Sequence, residues 1–239
     1  MRKFAFFSFL LLCGISHGQK MRYNVQACTL SVVDKFKIQS VSEYEAAYFA
    51  EVFGTKKLPT VFVNVYGDKK LYNKKDPPQQ SQGFCRSGSV YVLYSERFLN
   101  TCYHESSHAL FDVYAKHQPT WIDEGIAEYF EHAKVDSVGG VRIYAAAYRN
   151  EAMRSRVISG RLKIAPLLGF SYRRFHMWRE NRNYSLSWGI VNYLMTMHRS
   201  TFGIILYRIG TGTDSVSAIN TEYVGGIVQL EKDIVAYYK

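Results

Sequence analysis

Residues 101–108, Thr101-Cys102-Tyr103-His104-Glu105-Ser106-Ser107-His108, place two histidines four positions apart with a glutamate directly after the first. On a helix, positions i and i+4 share a face, so both imidazoles can reach one metal ion. Glu105 sits about 100° further round, beside that ion rather than on it. From there it is placed to take a proton from a metal-activated water, which makes it a candidate general base.

A zinc site that does chemistry needs three protein ligands and one open position. The third ligand should come from another helix a short way downstream. The run Trp121-Ile122-Asp123-Glu124-Gly125-Ile126-Ala127-Glu128-Tyr129-Phe130 offers it, on a helix opened by Thr120-x-x-Asp123, with Asp123 as a capping acid. H-E-x-x-H followed by W-[LI]-x-E-G-x-A-x-Y resembles the gluzincin zinc metallopeptidases, of the peptidase-MA-like group. The resemblance is specific over residues 104–130 and loose over the rest of 40–239. It implies that His104, His108 and Glu124 bind Zn2+. The plain reading of Glu124 is an acid in the first turn of a helix. For Glu128, one turn on, the resemblance implies a hydrogen bond to a zinc histidine. The alternative is an exposed helix-face charge.

The segment Tyr184-Ser185-Leu186-Ser187-Trp188-Gly189 looks like one that, in the aminopeptidase branch, opens with a tyrosine stabilising the oxyanion. Ser187 replaces the usual glycine there. Tyr184 is therefore a candidate catalytic residue, with His176 a weaker one. That branch also carries an acid that binds the substrate's free amine, and Ser89–Tyr94 has none in its place. The resemblance thus points to an endopeptidase rather than an aminopeptidase. It is nearer to small bacterial gluzincin-like domains, which also have counterparts to Leu167-Leu168, Ser187-Trp188, Leu230-Glu231 and Tyr237.

The rest of the chain supports an α+β fold. Ser42-x-x-Glu45 reads as a capping box opening a helix through Phe53, after an extended start over 20–39. Strands are expected at 61–66, 83–85 and 89–94, with a short helix from Lys69. The motif helix should span about 95–115. Helices are then expected at 121–132, 141–158, 186–198, 202–209 and 227–237, with no strand after the motif. This is a small N-terminal sheet (about 20–95) beside a mostly helical half (about 96–239), in one domain covering 19–239.

Arg2 and Lys3 precede an apolar run from Phe4 to Ile15, and Ser16-His17-Gly18 supplies small residues before a cut. Residues 1–18 read as a cleaved signal peptide, too short to span a membrane, with an uncleaved anchor or a lipoprotein cut before Cys13 as alternatives. The expectation is a secreted or periplasmic protein with no transmembrane segment. Loss of Arg2 and Lys3 lowers the formal charge from +10 to +8, since residues 1–18 hold no acid. Such a charge suits a soluble surface or anionic partners. Of the remaining cysteines, Cys85 is paired by expectation with Cys102, leaving Cys28 over. A latency thiol at Cys85 is the other reading.

Tyr172–Arg182 interleaves bases and aromatics, a pattern that binds anions or stacks on bases; export argues against nucleic acid. Placed near Tyr184, it would favour acidic substrates. The expected function is therefore an exported zinc peptidase acting on peptide or protein, with Glu105 as general base. The rivals are a non-catalytic scaffold for an anionic cell-envelope polymer and a zinc hydrolase of a non-peptide bond. Oligomeric state is open.

Overall fold

A computed structural model describes residues 20–239 other than 57, 79, 80, 178 and 179, and only the backbone at 180 and 181. The segment read as a signal peptide, and Trp178 and Arg179 of the basic stretch, lie outside the described residues. The fold is α+β. Four strands, β1 (Lys20–Gln26), β2 (Thr60–Tyr66), β3 (Gly83–Arg86) and β4 (Ser89–Leu93), form one sheet in the order β1-β2-β4-β3. β1, β2 and β4 run parallel, and β3 returns antiparallel to β4 at the edge. The two-residue turn joining β3 to β4 needs left-handed backbone at both positions; Ser87 (φ 52°) and Gly88 (φ 69°) supply it.

Alternation decides which face of the sheet is covered. Val61, Val63 and Val65 of β2 and Val90 and Val92 of β4 are fully buried in the main core, while Phe62 between them is exposed. That face packs on α1 (Val32–Val52) and α3 (Phe98–Tyr114). The other face carries a small aromatic cluster, Tyr66, Tyr72 and Phe84, roofed by α2 (Lys69–Asn73).

The chain then turns helical: α4 (Thr120–Glu131), α5 (Ala147–Ile158), α6 (Ala165–Leu168), α7 (Tyr172–Met177), α8 (Glu180–Met197), α9 (Arg199–Gly210), α10 (Ser215–Glu222) and α11 (Gly226–Tyr238). α3 lies between the sheet and α4, and α4 in turn lies on α8. Trp121, buried at the start of α4, donates its indole N–H to Ser215 of α10 at 2.9 Å. Glu231 of α11 accepts from the Ile164 amide at 3.0 Å and so fixes the entry to α6. No described helix is long and apolar enough to cross a membrane.

Several sequence expectations are corrected here. α1 begins ten residues before the proposed box at Ser42-x-x-Glu45, because Ser31 and Asp34 cap each other's backbone amides. Ser42 and Glu45 lie inside the helix and are buried; burial pushes the Glu45 carboxyl up to about 8, so it is neutral at pH 7. Residues 133–135 and 141–143 form a hairpin (β5, β6), so the second half does contain strands and the helix expected from 141 starts at 147. α10 was not foreseen. Cys28, Cys85 and Cys102 are all free thiols. Cys102 is on the core face of α3 and Cys85 faces a cleft, so the expected pair does not form.

Gly125 sets the spacing of α4 and α8. A Cβ there would lie 2.8 Å from Val191 Cγ2 and 2.9 Å from the Ser187 carbonyl oxygen. The carbonyl belongs to helix backbone and cannot turn aside. Gly125→Ala should therefore lower unfolding stability by about 1–3 kcal/mol in urea titration, despite alanine's higher helix propensity.

Candidate metal centre

α3 carries His104, Glu105 and His108 on the side turned to α4, and α4 presents Glu124 to them. His104 Nε2 lies 3.5 Å and His108 Nε2 3.6 Å from Glu124 Oε2. A tetrahedral zinc with bonds of about 2.0–2.1 Å holds its ligand atoms roughly 3.3 Å apart, close to both histidine–Glu124 separations, and all three atoms lie within 4.8 Å of one another. Glu124 Oε2 is buried without a hydrogen-bond partner among the described residues. That oxygen is met by the two imidazoles alone among the described residues, an arrangement that would suit a cation held between them.

The far side of each imidazole is held by an acid. His108 Nδ1 is 2.8 Å from Asp123 Oδ1, and His104 Nδ1 is 3.3 Å from Glu131 Oε2. A carboxylate on Nδ1 fixes the ring and keeps the proton there, which leaves Nε2 free to bind metal. Burial disfavours the His108 cation, but the Asp123 carboxylate outweighs it and pushes the imidazole up to about 9. His104 moves the same way, burial again being overcome by Glu124 and Glu131. Burial also opposes ionisation of Glu124; the two histidines overcome that and hold its carboxyl below the usual range. Glu105 is raised by burial against the pull of both histidines.

Two sequence assignments change. Asp123 is not a helix cap: α4 has no side-chain cap, and Asp123 faces His108. Glu128 is not the acid that meets the far side of either histidine. Arg149 of α5 takes its carboxylate with two bonds, of 2.6 and 2.8 Å, because both groups are buried and need full compensation. The role expected of Glu128 falls to Glu131, which Arg97 also meets at 3.2 Å. Glu124, Glu128 and Glu131 share one face of α4 (i, i+4, i+7), so that periodicity was the available signal for Glu131. His104, Glu128 and Glu131 could also group around an ion. Arg149 and Arg97 already balance that set.

Tyr184 is brought to the same place. It lines a cleft of about 590 Å3 with His104, Glu105, His108, Glu124 and His176. His176 of α7 stands between Tyr184 and the acid, its Nδ1 3.4 Å from the Tyr184 hydroxyl and its Nε2 3.5 Å from Glu124 Oε1. Arg149 lies 5.6 Å from the Tyr184 ring centroid and donates to Ser185 at 3.0 Å, so the Glu128–Arg149 pair steadies this wall of the cleft. β3 forms the opposite rim through Gly83 and Cys85. Burial pushes the Cys85 thiol up, with Glu105, Asp112 and Asp123 adding to it.

The neighbouring acids favour the protonated form of both His104 and His108, so any ion bound through their Nε2 atoms would have to displace protons. Affinity for an ion should rise with pH through about 9, where His108 titrates, and calorimetry in buffers of different ionisation enthalpy should detect proton release at pH 7. The histidine contribution to the stability of the metal-free fold has the opposite trend. It is complete below about 6.5 and is lost as pH rises through about 9. Asp123→Asn should weaken zinc binding by about 10–100-fold in chelator competition.

Among known proteins, a family described as "Protein of unknown function (DUF1570)" matches residues 99–212, the stretch from α3 through α9 that holds both histidines, Glu124 and Tyr184. No curated protein sequence matches the chain.

Proposed function

We propose that the chain is an exported, zinc-dependent peptidase of the gluzincin type, favouring internal peptide bonds. The observation that carries this reading is the convergence of His104 Nε2, His108 Nε2 and the buried Glu124 oxygen, with Glu105 in the same cleft. Those three residues would hold the ion. When bound, zinc supplies a Lewis acid that acidifies water and polarises a carbonyl. The export part of the proposal rests on residues 1–18 alone.

The chain's own residues account for the remaining work. Glu105 has no ion pair among the described residues and is raised by burial, which suits a base that takes a proton from water and returns it to the leaving amine. Asp123 and Glu131 keep the two imidazoles oriented. The Tyr184 hydroxyl, within reach of His176, is available to donate to the developing oxyanion. A peptide is favoured over other substrates by β3. It is an edge strand on the rim of the cleft, able to pair with an extended chain.

The test is direct. Purified wild type should carry about one zinc per chain and cleave members of a peptide library. Glu105→Gln should keep the zinc and lose hydrolysis by at least about 100-fold. Tyr184→Phe should lower kcat by about 10–1,000-fold with little change in KM. Metal-free protein, or undiminished cleavage by Glu105→Gln, would contradict the proposal.

A further inference from the structure

α7 has two working faces. Tyr172 and His176 line the cleft that holds Glu124, while Arg173, Arg174 and Met177 line a separate groove of about 800 Å3. The groove gathers six bases from four places in the chain: Arg156, Arg161, Lys163, Arg173, Arg174 and Arg182. Its floor is apolar, with Leu167 and Phe170. Lys163 is paired with Glu231. Among the described residues, no carboxylate pairs with Arg161, Arg173, Arg174 or Arg182. Arg174 rests instead on the Phe170 ring, 4.3 Å from its centroid, which holds it in place without consuming its charge. Arg173 and Arg161 are exposed.

Like charges collected around one concavity repel one another, so such a groove gains from an anionic occupant. The neighbouring cleft is mixed, with Glu105, Asp112, Asp123 and Glu124 beside His104, His108 and His176. An acidic chain would find its cationic partners one helix away from the reacting bond. Resting on the peptidase reading, we infer that this groove binds acidic residues of the substrate peptide as it leaves the cleft across α7. A helix is about 10 Å across and an extended chain advances about 3.3 Å per residue, so the preferred acids begin about three residues from the scissile bond. The cleft and the groove then form one substrate path, with α7 as the dividing wall.

The experiment compares two labelled peptides of identical core sequence, carrying glutamates or glutamines from about the third residue on either side of the cleaved bond. Binding is read by anisotropy with zinc-loaded Glu105→Gln, and cleavage with wild type. The glutamate peptide should bind about tenfold more tightly, an advantage that shrinks with salt. Arg161→Gln with Arg173→Gln should remove most of that advantage at an unchanged Tm, whereas Lys69→Gln with Lys70→Gln on α2 should not. Equal binding of the two peptides would overturn the inference, as would equal loss in both charge variants. Tighter occupation of the groove by polygalacturonate than by the glutamate peptide would also overturn it, by making the groove a polysaccharide site. Cleavage without acid preference would remove the groove's role and leave the peptidase reading intact. Acid-selective binding with no cleavage of either peptide would overturn the peptidase reading and the substrate role together.

Discussion

The close contact between α4 and α8 at Gly125 governs the geometry of the whole site. With no side chain at 125, the backbone of α4 can lie against the Ser187 carbonyl and Val191 of α8. The preceding residue, Glu124, is thereby directed away from α8 and toward α3, where His104 and His108 wait one helical turn apart. α8 in turn brings Tyr184 and Ser185 to the same end, and Arg149 ties both to Glu128 of α4. The sheet completes the arrangement from the other side. β3 comes so near α3 that a Cβ on Gly83 would meet Thr101 and the Glu105 side chain. Two glycines thus set the width of the space between the strand, α3 and α4.

Electrostatics explains why so many acids tolerate burial there. Glu124, Glu128 and Glu131 are each less than a tenth exposed. Arg149 compensates Glu128, and Arg97 helps compensate Glu131. Among the described residues, no lysine or arginine is paired with Glu124. The acids around them favour the protonated form of the two histidines and so raise both imidazoles. A divalent cation would replace those protons and fill the gap between the three ligand atoms. The buried acids and the ligand set are therefore two aspects of one demand for positive charge.

The sequence was most informative where one short pattern imposes one geometry. H-E-x-x-H can only bring its histidines together on a helix, and Phe98–Tyr114 is one. The valine alternation of 61–65 and the Ser87-Gly88 turn were equally legible, and β2, β3 and β4 lie within a residue of their expected bounds. Errors arose where local signals competed. Ser42-x-x-Glu45 satisfies the capping pattern yet lies inside α1, because the true cap at Ser31 precedes two β-branched residues, Val32 and Val33, of weak helical bias. The roles of Asp123, Glu128 and Glu131 depend on which face of α4 meets α3 and where Arg149 arrives from α5. That is tertiary information; motif spacing alone misassigned Asp123 and Glu128 and left Glu131 without a role. His176 needed the position of α7, which has no strong periodic signature in its six residues.

The central claim is that His104, His108 and Glu124 form one metal site. Zinc-edge anomalous diffraction from crystals of the zinc-loaded protein tests it most directly. The account predicts a single peak about 2.0–2.1 Å from both Nε2 atoms and a Glu124 oxygen. A peak among His104, Glu128 and Glu131, or no peak at all in this cleft, would contradict it.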